Sequence, residues 1–152
     1  MPESLRSRLH RHAFNLFPAF RGTGGRITYI AADWCEVRLR VPLSRRTRNY
    51  VGTIFGGSMY GAVDPIYMLM LINALGPEYV VWDKAASIRF RRPGRTALHA
   101  TFTLTAAELD GFREALRTER AVEPVYTVNL VDAEGVVHAT IEKTLHIRKK
   151  AP

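Results

Sequence analysis

Residues 57–75 read GSMYGAVDPIYMLMLINAL and give the clearest indication of the fold. Apart from Ser58, two glycines, Asp64, Pro65 and Asn73, every position is apolar. A helix that is apolar on all sides is buried on all sides, so we expect a long central helix over about residues 57–75. Its length would be about 28 Å, the width of a small domain. Pro65 should kink this helix, because proline removes one helical hydrogen bond.

The segments around this helix alternate polar and apolar residues as β-strands do. A first helix is predicted over about residues 4–17, with Ser4 as its N-cap. Strands are predicted over residues 26–30, 36–41, 79–91, 97–105, 126–131 and 136–147, and residues 106–120 are helical or irregular. Several strands with few helices predict an α+β domain whose long helix packs on an antiparallel sheet.

The composition is that of one globular domain spanning residues 1–152. Hydrophobic residues make up 47% and charged residues 24%, and a chain of this size needs no disulfide or metal to hold a core. Cys35 is the only cysteine, so no internal disulfide is possible and a reducing cytoplasm fits best. No apolar run is long enough for a signal peptide or a membrane span, which predicts a soluble, cytoplasmic protein.

The net charge is +8, and many of the basic residues are grouped within residues 38–48, 89–95 and 143–150. Such a field favours an anionic partner: nucleic acid, an anionic membrane or a polyphosphate ligand. Solvated strand faces and charged sheet edges would produce the same grouping. No motif that reads DNA or RNA is present, so charge alone does not decide between these interpretations.

Asp64 is the first candidate for a catalytic residue. A carboxylate in the middle of an apolar helix is costly unless it has partners or a purpose. It is either a general base or nucleophile, or a structural carboxylate bonded to the preceding loop, Tyr60 or Tyr67. Gly56-Gly57-Ser58 at the helix start could hold an oxyanion on unpaired backbone N–H groups, or could simply be a tight turn capped by Ser58.

Other motifs are absent. The five histidines lack the spacing of metal ligands on a helix, so no metal site is predicted. The sequence around Ser58 is not the G-x-S-x-G of a nucleophile elbow, and the lysine of a phosphate-binding loop does not precede it.

The run NYVGTIFGG at residues 49–57, with Asp64 seven residues later, resembles the signature of hotdog-fold acyl-CoA thioesterases of the phenylacetate-pathway type. That signature reads N-x-x-G-x-x-H-G-G, followed by an aspartate in the central helix. Residues 88–94, IRFRRPG, resemble the end of that family's third strand. The wider pattern resembles an uncharacterised bacterial branch catalogued as a domain of unknown function. The resemblance covers about residues 25–147 and implies a hotdog fold, a long central helix wrapped by about six antiparallel strands.

The resemblance also implies roles for individual residues. Asp64 would activate water or attack the thioester carbonyl. The N–H of Gly56, with that of Gly57, would hold the oxyanion. Asn49 would orient the water or the carboxylate. Members of the family pair as dimers or tetramers, and each site is completed by the partner's third strand.

Two positions depart from the family pattern. Phe55 stands where the family has the histidine that polarises the thioester carbonyl, a change that could cost about 10²-fold or more in rate. Asp83 stands where the family often has Ser or Thr. If Asp83 reached Asp64 across an interface, the pKa of one carboxyl would rise, and Lys84 could offset this.

The substrate implied is an acyl-CoA, with coenzyme A entering as part of the substrate and no separate cofactor. Arg91, Arg92 and Arg95 are candidates to bind its phosphates. Tyr60 is a candidate to line the acyl pocket, although it could equally be a residue that packs in the core.

Three interpretations stay open. The first is an acyl-CoA thioesterase. The second, suggested by Phe55, is a catalytically weak acyl-CoA or lipid-binding protein on the same fold. The third, a nucleic-acid-associated or scaffolding protein, rests on charge alone, and neither nucleic acid nor a membrane is the expected partner.

Overall fold

The computed structural model describes residues 1–150. The helices are α1 (Leu5–Leu16), α2 (Pro18–Thr23), α3 (Gly56–Val63), α4 (Ile66–Leu75) and α5 (Ala106–Ala115). The strands are β1 (Arg26–Ile30), β2 (Glu36–Val41), β3 (Tyr79–Phe90), β4 (Leu98–Thr103), β5 (Val125–Val131) and β6 (Val137–Lys149). The predicted α+β architecture is confirmed: the six strands form one antiparallel sheet.

The strand order in the sheet is β1-β2-β4-β5-β6-β3, so β1 and β3 are its two edges. Strand β3 pairs with β6 along almost its whole length, while its other side has no partner in the described chain. On β2 the apolar residues Val37, Leu39 and Val41 are buried and the arginines between them are exposed, as alternation predicts. The buried face of the sheet packs on the central helix, and together they enclose the core.

The central helix consists of two segments rather than one. Asp64 and Pro65 separate α3 from α4, which confirms the kink expected at proline. The expectation that this helix is buried on all sides is wrong for the single chain. Ile72 is 40% exposed, and Met68 and Leu69 on the same side are only partly buried. The sheet covers one side of the helix and leaves part of its surface, including Ile72 and part of Asp64, accessible.

The N-terminal helix begins after Ser4, whose side chain caps it as predicted. Helix α2 was not expected from the sequence: Pro18 ends the first helix and also begins a second, because its fixed φ suits the first helical position. Helix α5 resolves the ambiguous segment 106–120 and begins with a capping box formed by Thr105 and Glu108. None of the helices within residues 1–150 is both long and apolar enough to cross a membrane.

Candidate functional site

Lys143 lies at the centre of the candidate site. Its Nζ is 2.6 Å from Asp64 Oδ1 and 2.8 Å from Asp83 Oδ1, so one ammonium group joins the two carboxylates. The Lys143 side chain is 1% exposed, whereas that of Asp83 is 23% and that of Asp64 42% exposed. Helix α3 ends at Asp64, while Asp83 and Lys143 come from the paired strands β3 and β6. Three separate elements therefore build one charged cluster at the surface of the core.

Tyr60 completes this cluster. Its hydroxyl donates to Asp64 Oδ1 at 2.7 Å, one helical turn away. Lys143 and Tyr60 therefore both donate to the same oxygen, and no described residue donates to Asp64 Oδ2. The Asp64 side chain is 42% exposed, so a water molecule or a substrate can reach this carboxylate.

The burial of the cluster changes the protonation of its members. Burial raises the pKa of Asp83 above its usual range, and Asp64 adds to this, although Lys143 opposes it. Burial alone would lower the pKa of Lys143, but its hydrogen bond to Asp64 and its charge attraction to both carboxylates raise it. Burial and the bond to Asp64 raise the pKa of Tyr60. Asp83 Oδ1 has no well-aligned donor within residues 1–150, so its contact with Lys143 is an ion pair of poor hydrogen-bond angle.

The pairing of Asp64 with Asp83, expected across an interface, occurs within one chain. The cation that balances it is Lys143 and not the neighbouring Lys84. A β-bulge between Asp83 and Ala85 leaves Asp83 towards the core, while the exposed Lys84 pairs with Glu123 at 2.5 Å. The expectation that Lys84 offsets the charge of the Asp64–Asp83 pair is therefore wrong within this chain, and its role towards a substrate stays a prediction.

Lys143 was not expected at the site, although the sequence of β6 carries a signal for it. On β6 the residues at alternate positions, Ala139, Ile141, Leu145 and Ile147, are fully buried, and Lys143 occupies the same face. Strict alternation thus predicts a lysine pointing into the core. A lysine in such a place needs an anionic partner, which here is the carboxylate pair.

At the N-terminus of α3, unpaired backbone N–H groups lie next to aromatic rings. The N–H groups of Gly56 and Gly57 donate to no described residue, as expected for the first turn of a helix. The Phe55 ring lies against Gly57, where an added Cβ would be 2.3 Å from the ring, and the Phe90 ring lies against Gly56. Two rings that are more than half exposed, of Phe55 and Phe90, therefore flank the unpaired N–H groups.

Asn49 holds the loop before this helix. Its Oδ1 accepts from the N–H groups of Val51 and Thr53, and its Nδ2 donates to Thr53 Oγ1 at 2.9 Å. Gly52, with φ +83°, makes the tight turn between them. The amide of Asn49 is thus engaged within its own loop, and it positions the segment that leads into Gly56.

A surface cavity of about 380 Å³ adjoins the α3 N-terminus and is lined by Asn49, Gly56, Phe90, Arg91 and Arg92, among others. Arg95, predicted together with the other two arginines, is exposed and does not line this cavity. Within residues 1–150, no three His, Cys, Asp or Glu side chains gather as metal ligands would.

Gly56 and Asp64 lie at opposite ends of α3. Eight residues of helix correspond to about 12 Å along the axis. One carbonyl group cannot contact an N–H at the first turn and a carboxylate two turns later. The two predicted halves of the site are therefore separated within a single chain.

Comparison with solved structures supports the fold. A Pseudomonas aeruginosa protein of unknown function, called a probable thioesterase, superimposes with a TM-score of 0.83 at 21% identity, covering 99% of each chain. A thioesterase of Haemophilus influenzae gives a TM-score of 0.68 at 15% identity, covering 98% of this chain and 93% of the other. A mutant thioesterase of P. aeruginosa gives 0.69 at 12% identity, with 93% and 94% covered.

No curated protein matches the sequence. The family model for the domain of unknown function DUF4442 matches residues 6–147, nearly the whole chain. The hotdog-type fold and the expected branch are thus confirmed, and the chain belongs to the DUF4442 family, a domain of unknown function.

Proposed function

We propose that this protein hydrolyses acyl-CoA thioesters, with Asp64 as the general base or nucleophile. The observation that carries the proposal is the position of Lys143, buried and held between Asp64 and Asp83. Burying a lysine is expensive even when carboxylates balance its charge, and charged clusters of this kind are enriched at functional sites. Because both donors bind Oδ1, the second oxygen of Asp64 has no donor within residues 1–150 and is available to accept a proton from a water molecule.

The hydrolysis needs few steps. Asp64 Oδ2 takes a proton from a water molecule as the water oxygen attacks the thioester carbonyl carbon. The C–S bond then breaks, and the departing sulfur receives that proton, which yields a carboxylic acid and free coenzyme A. Lys143 holds the Asp64 carboxylate in place and balances its charge, while an N–H at the start of α3 stabilises the oxyanion.

The separation of Gly56 from Asp64 supports a site shared between two copies of the chain. The unpaired edge of β3, together with the exposed side of α4, offers a second copy both backbone groups and apolar surface. Phe55 and Phe90 add to this surface at the α3 N-terminus. We propose a homodimer in which Asp64 of one chain faces the helix N-terminus of the other.

The first experiment measures thiol release from a panel of short, long and aromatic acyl-CoAs. We expect turnover in the wild type and a loss of at least about 10²-fold in Asp64→Asn. Asp110→Asn is the matched control, because Asp110 is an exposed surface residue paired only with Arg113. Equal turnover in Asp64→Asn and the control would overturn the assignment of Asp64.

A complementation experiment tests the shared site. Gly56→Pro removes the N–H but suits the first helical position, and Phe55 before it is already extended. Gly56→Ala adds a comparable Cβ and keeps the N–H. Mixing inactive Asp64→Asn with inactive Gly56→Pro should restore about a quarter of the wild-type activity, because half of the dimers are mixed and each has one intact site. No recovery in a mixture shown to exchange subunits would contradict a shared site.

The alternative function is binding of acyl-CoA or a lipid without efficient hydrolysis. Phe55 favours it, because an exposed phenyl ring lies where a histidine would polarise the carbonyl. Phe55→His separates the two functions: an enzyme should gain up to about 10²-fold in rate, whereas a binding protein should gain none. Binding of CoA esters without thiol release in either variant would establish the alternative.

A further inference from the structure

A second and larger concavity, of about 920 Å³, lies where α1 and α2 meet β1, β2 and the segment 42–46. Its lining includes six arginines and no acidic residue: Arg11, Arg21, Arg26, Arg40, Arg45 and Arg46. It shares no lining residue with the cavity beside Gly56. We refer to it as the arginine groove.

The charges of the groove are not balanced from within the described chain. Arg11 is paired with Glu3 at 2.8 Å, but none of the other five arginines has a carboxylate within 4.0 Å in residues 1–150. Arg26 and Arg40 are directly opposite each other on β1 and β2, and both are exposed. Like charges in this position destabilise a sheet, so an anion that bound between them would relieve the repulsion.

The walls of the groove are fixed without a ligand. Asn15 on α1 donates to the carbonyl of Ile27 and accepts from its N–H, both at 2.8 Å, which fastens α1 to β1. On the opposite wall, the Thr47 hydroxyl donates to the carbonyl of Pro42 at 2.6 Å and accepts from the N–H of Ser44. Binding therefore needs little ordering of the backbone, which favours affinity.

We propose that the arginine groove binds a small ligand that carries a chain of two or more phosphate groups. Arginine recognises phosphate with paired, planar donors, and several arginines around one concavity suit several linked phosphates. The volume lies in the range of small-molecule sites. Single-stranded nucleic acid is disfavoured, because no Phe, Tyr or Trp lines the groove to stack on bases. We therefore expect the groove to bind the phosphate chain of the ligand and not the organic group attached to it.

Calorimetric titration of the full chain with inorganic triphosphate and with ATP tests this inference. Both should bind, with affinities within about threefold of each other, and inorganic phosphate should bind at least tenfold more weakly. Arg26→Gln/Arg40→Gln should lower triphosphate affinity at least tenfold. The control Arg6→Gln/Arg120→Gln makes the same change in net charge at exposed positions outside the groove and should leave affinity unchanged.

The melting temperature of the ligand-free protein separates binding from a structural role. Arg26→Gln/Arg40→Gln relieves the cross-strand repulsion and should melt no lower than the wild type, although it has lost its ligand. Absence of triphosphate binding, equal losses in the control, or a single-stranded oligonucleotide displacing triphosphate at far lower concentration would each overturn the proposal.

The inference does not depend on the proposed hydrolysis. Asp64→Asn should bind triphosphate as the wild type does, even if neither protein releases thiol from acyl-CoA. Competition by coenzyme A identifies its own diphosphate as a source of the ligand, and a lack of competition identifies a free polyphosphate. Both outcomes of this competition experiment presuppose that the groove binds triphosphate.

Discussion

Replacing Lys143 with methionine tests the charged cluster most directly. Methionine preserves most of the volume of the buried side chain and removes the ammonium group. Asp64 and Asp83 would then face each other without the cation that now lies within 2.8 Å of both. The variant therefore isolates the electrostatic contribution of Lys143 from its packing.

The expected loss follows from the burial of the partners. Removing one member of a fully buried ion pair costs about 3–5 kcal/mol. Asp64 is 42% and Asp83 23% exposed, so water screens part of the repulsion that remains. We expect a decrease of about 2–3 kcal/mol in the free energy of unfolding at pH 7. For a chain of this length that corresponds to a melting temperature lower by about 4–12 °C.

Urea denaturation followed by circular dichroism gives this free energy. Lys84→Met is the matched control, because Lys84 belongs to β3 and pairs with Glu123, but its side chain is 52% exposed. The control should change stability by less than about 1 kcal/mol. Adding Asp83→Asn to Lys143→Met should restore part of the lost stability, because one of the two unpaired carboxylates is gone.

A Lys143→Met variant as stable as the Lys84→Met control would refute this reasoning. So would a double variant with Asp83→Asn that is less stable than Lys143→Met alone. Either result would mean that the carboxylates do not depend on Lys143 for their charge balance.

The remaining predictions concern pH and two other parts of the fold. The pKa of Lys143 is raised in the folded chain, so protonated Lys143 stabilises the fold below about pH 10.4, and this contribution declines at higher pH. In urea titrations at alkaline pH, the free energy of unfolding should therefore decrease more for the wild type than for Lys143→Met. Tyr126 stacks on Tyr67 with ring centroids 4.2 Å apart, and its buried hydroxyl has no partner in the described chain. Tyr126→Phe should therefore leave the free energy of unfolding unchanged or raise it by about 1 kcal/mol. A decrease of about 1 kcal/mol in urea denaturation would contradict an unpaired hydroxyl. Asn15→Ala should lower the free energy of unfolding by about 1–3 kcal/mol, because it leaves the N–H and the carbonyl of buried Ile27 without the Asn15 side chain. A decrease below about 0.5 kcal/mol would contradict the role of Asn15 in fastening α1 to β1.

Several features could be predicted from local sequence because their physics is local. The strands follow from alternation, and the break at Pro65 follows from the missing N–H of proline. Asp64 stood out because it interrupts an apolar helix. Helix α2 was missed because Pro18 is equally compatible with ending one helix and beginning another.

The candidate site depended on contacts between distant segments. Lys143 is 79 residues from Asp64 in the sequence, and its place on the buried face of β6 gives no indication of which carboxylate it meets. Asp83 was suspected, but the expected cation was Lys84, which the β-bulge leaves on the outer face. Strand register therefore decided which of two lysines joined the cluster.

The sequence by itself determined the α+β class, the central helix and the candidate carboxylate, because apolar periodicity and proline act on neighbouring residues. The packing of the strands and helices decided that Lys143 joins Asp64 to Asp83 and that Arg26 and Arg40 are directly opposite each other. These are distances between side chains on different elements. They are set by how the helix and the strands pack against each other, which no local pattern specifies.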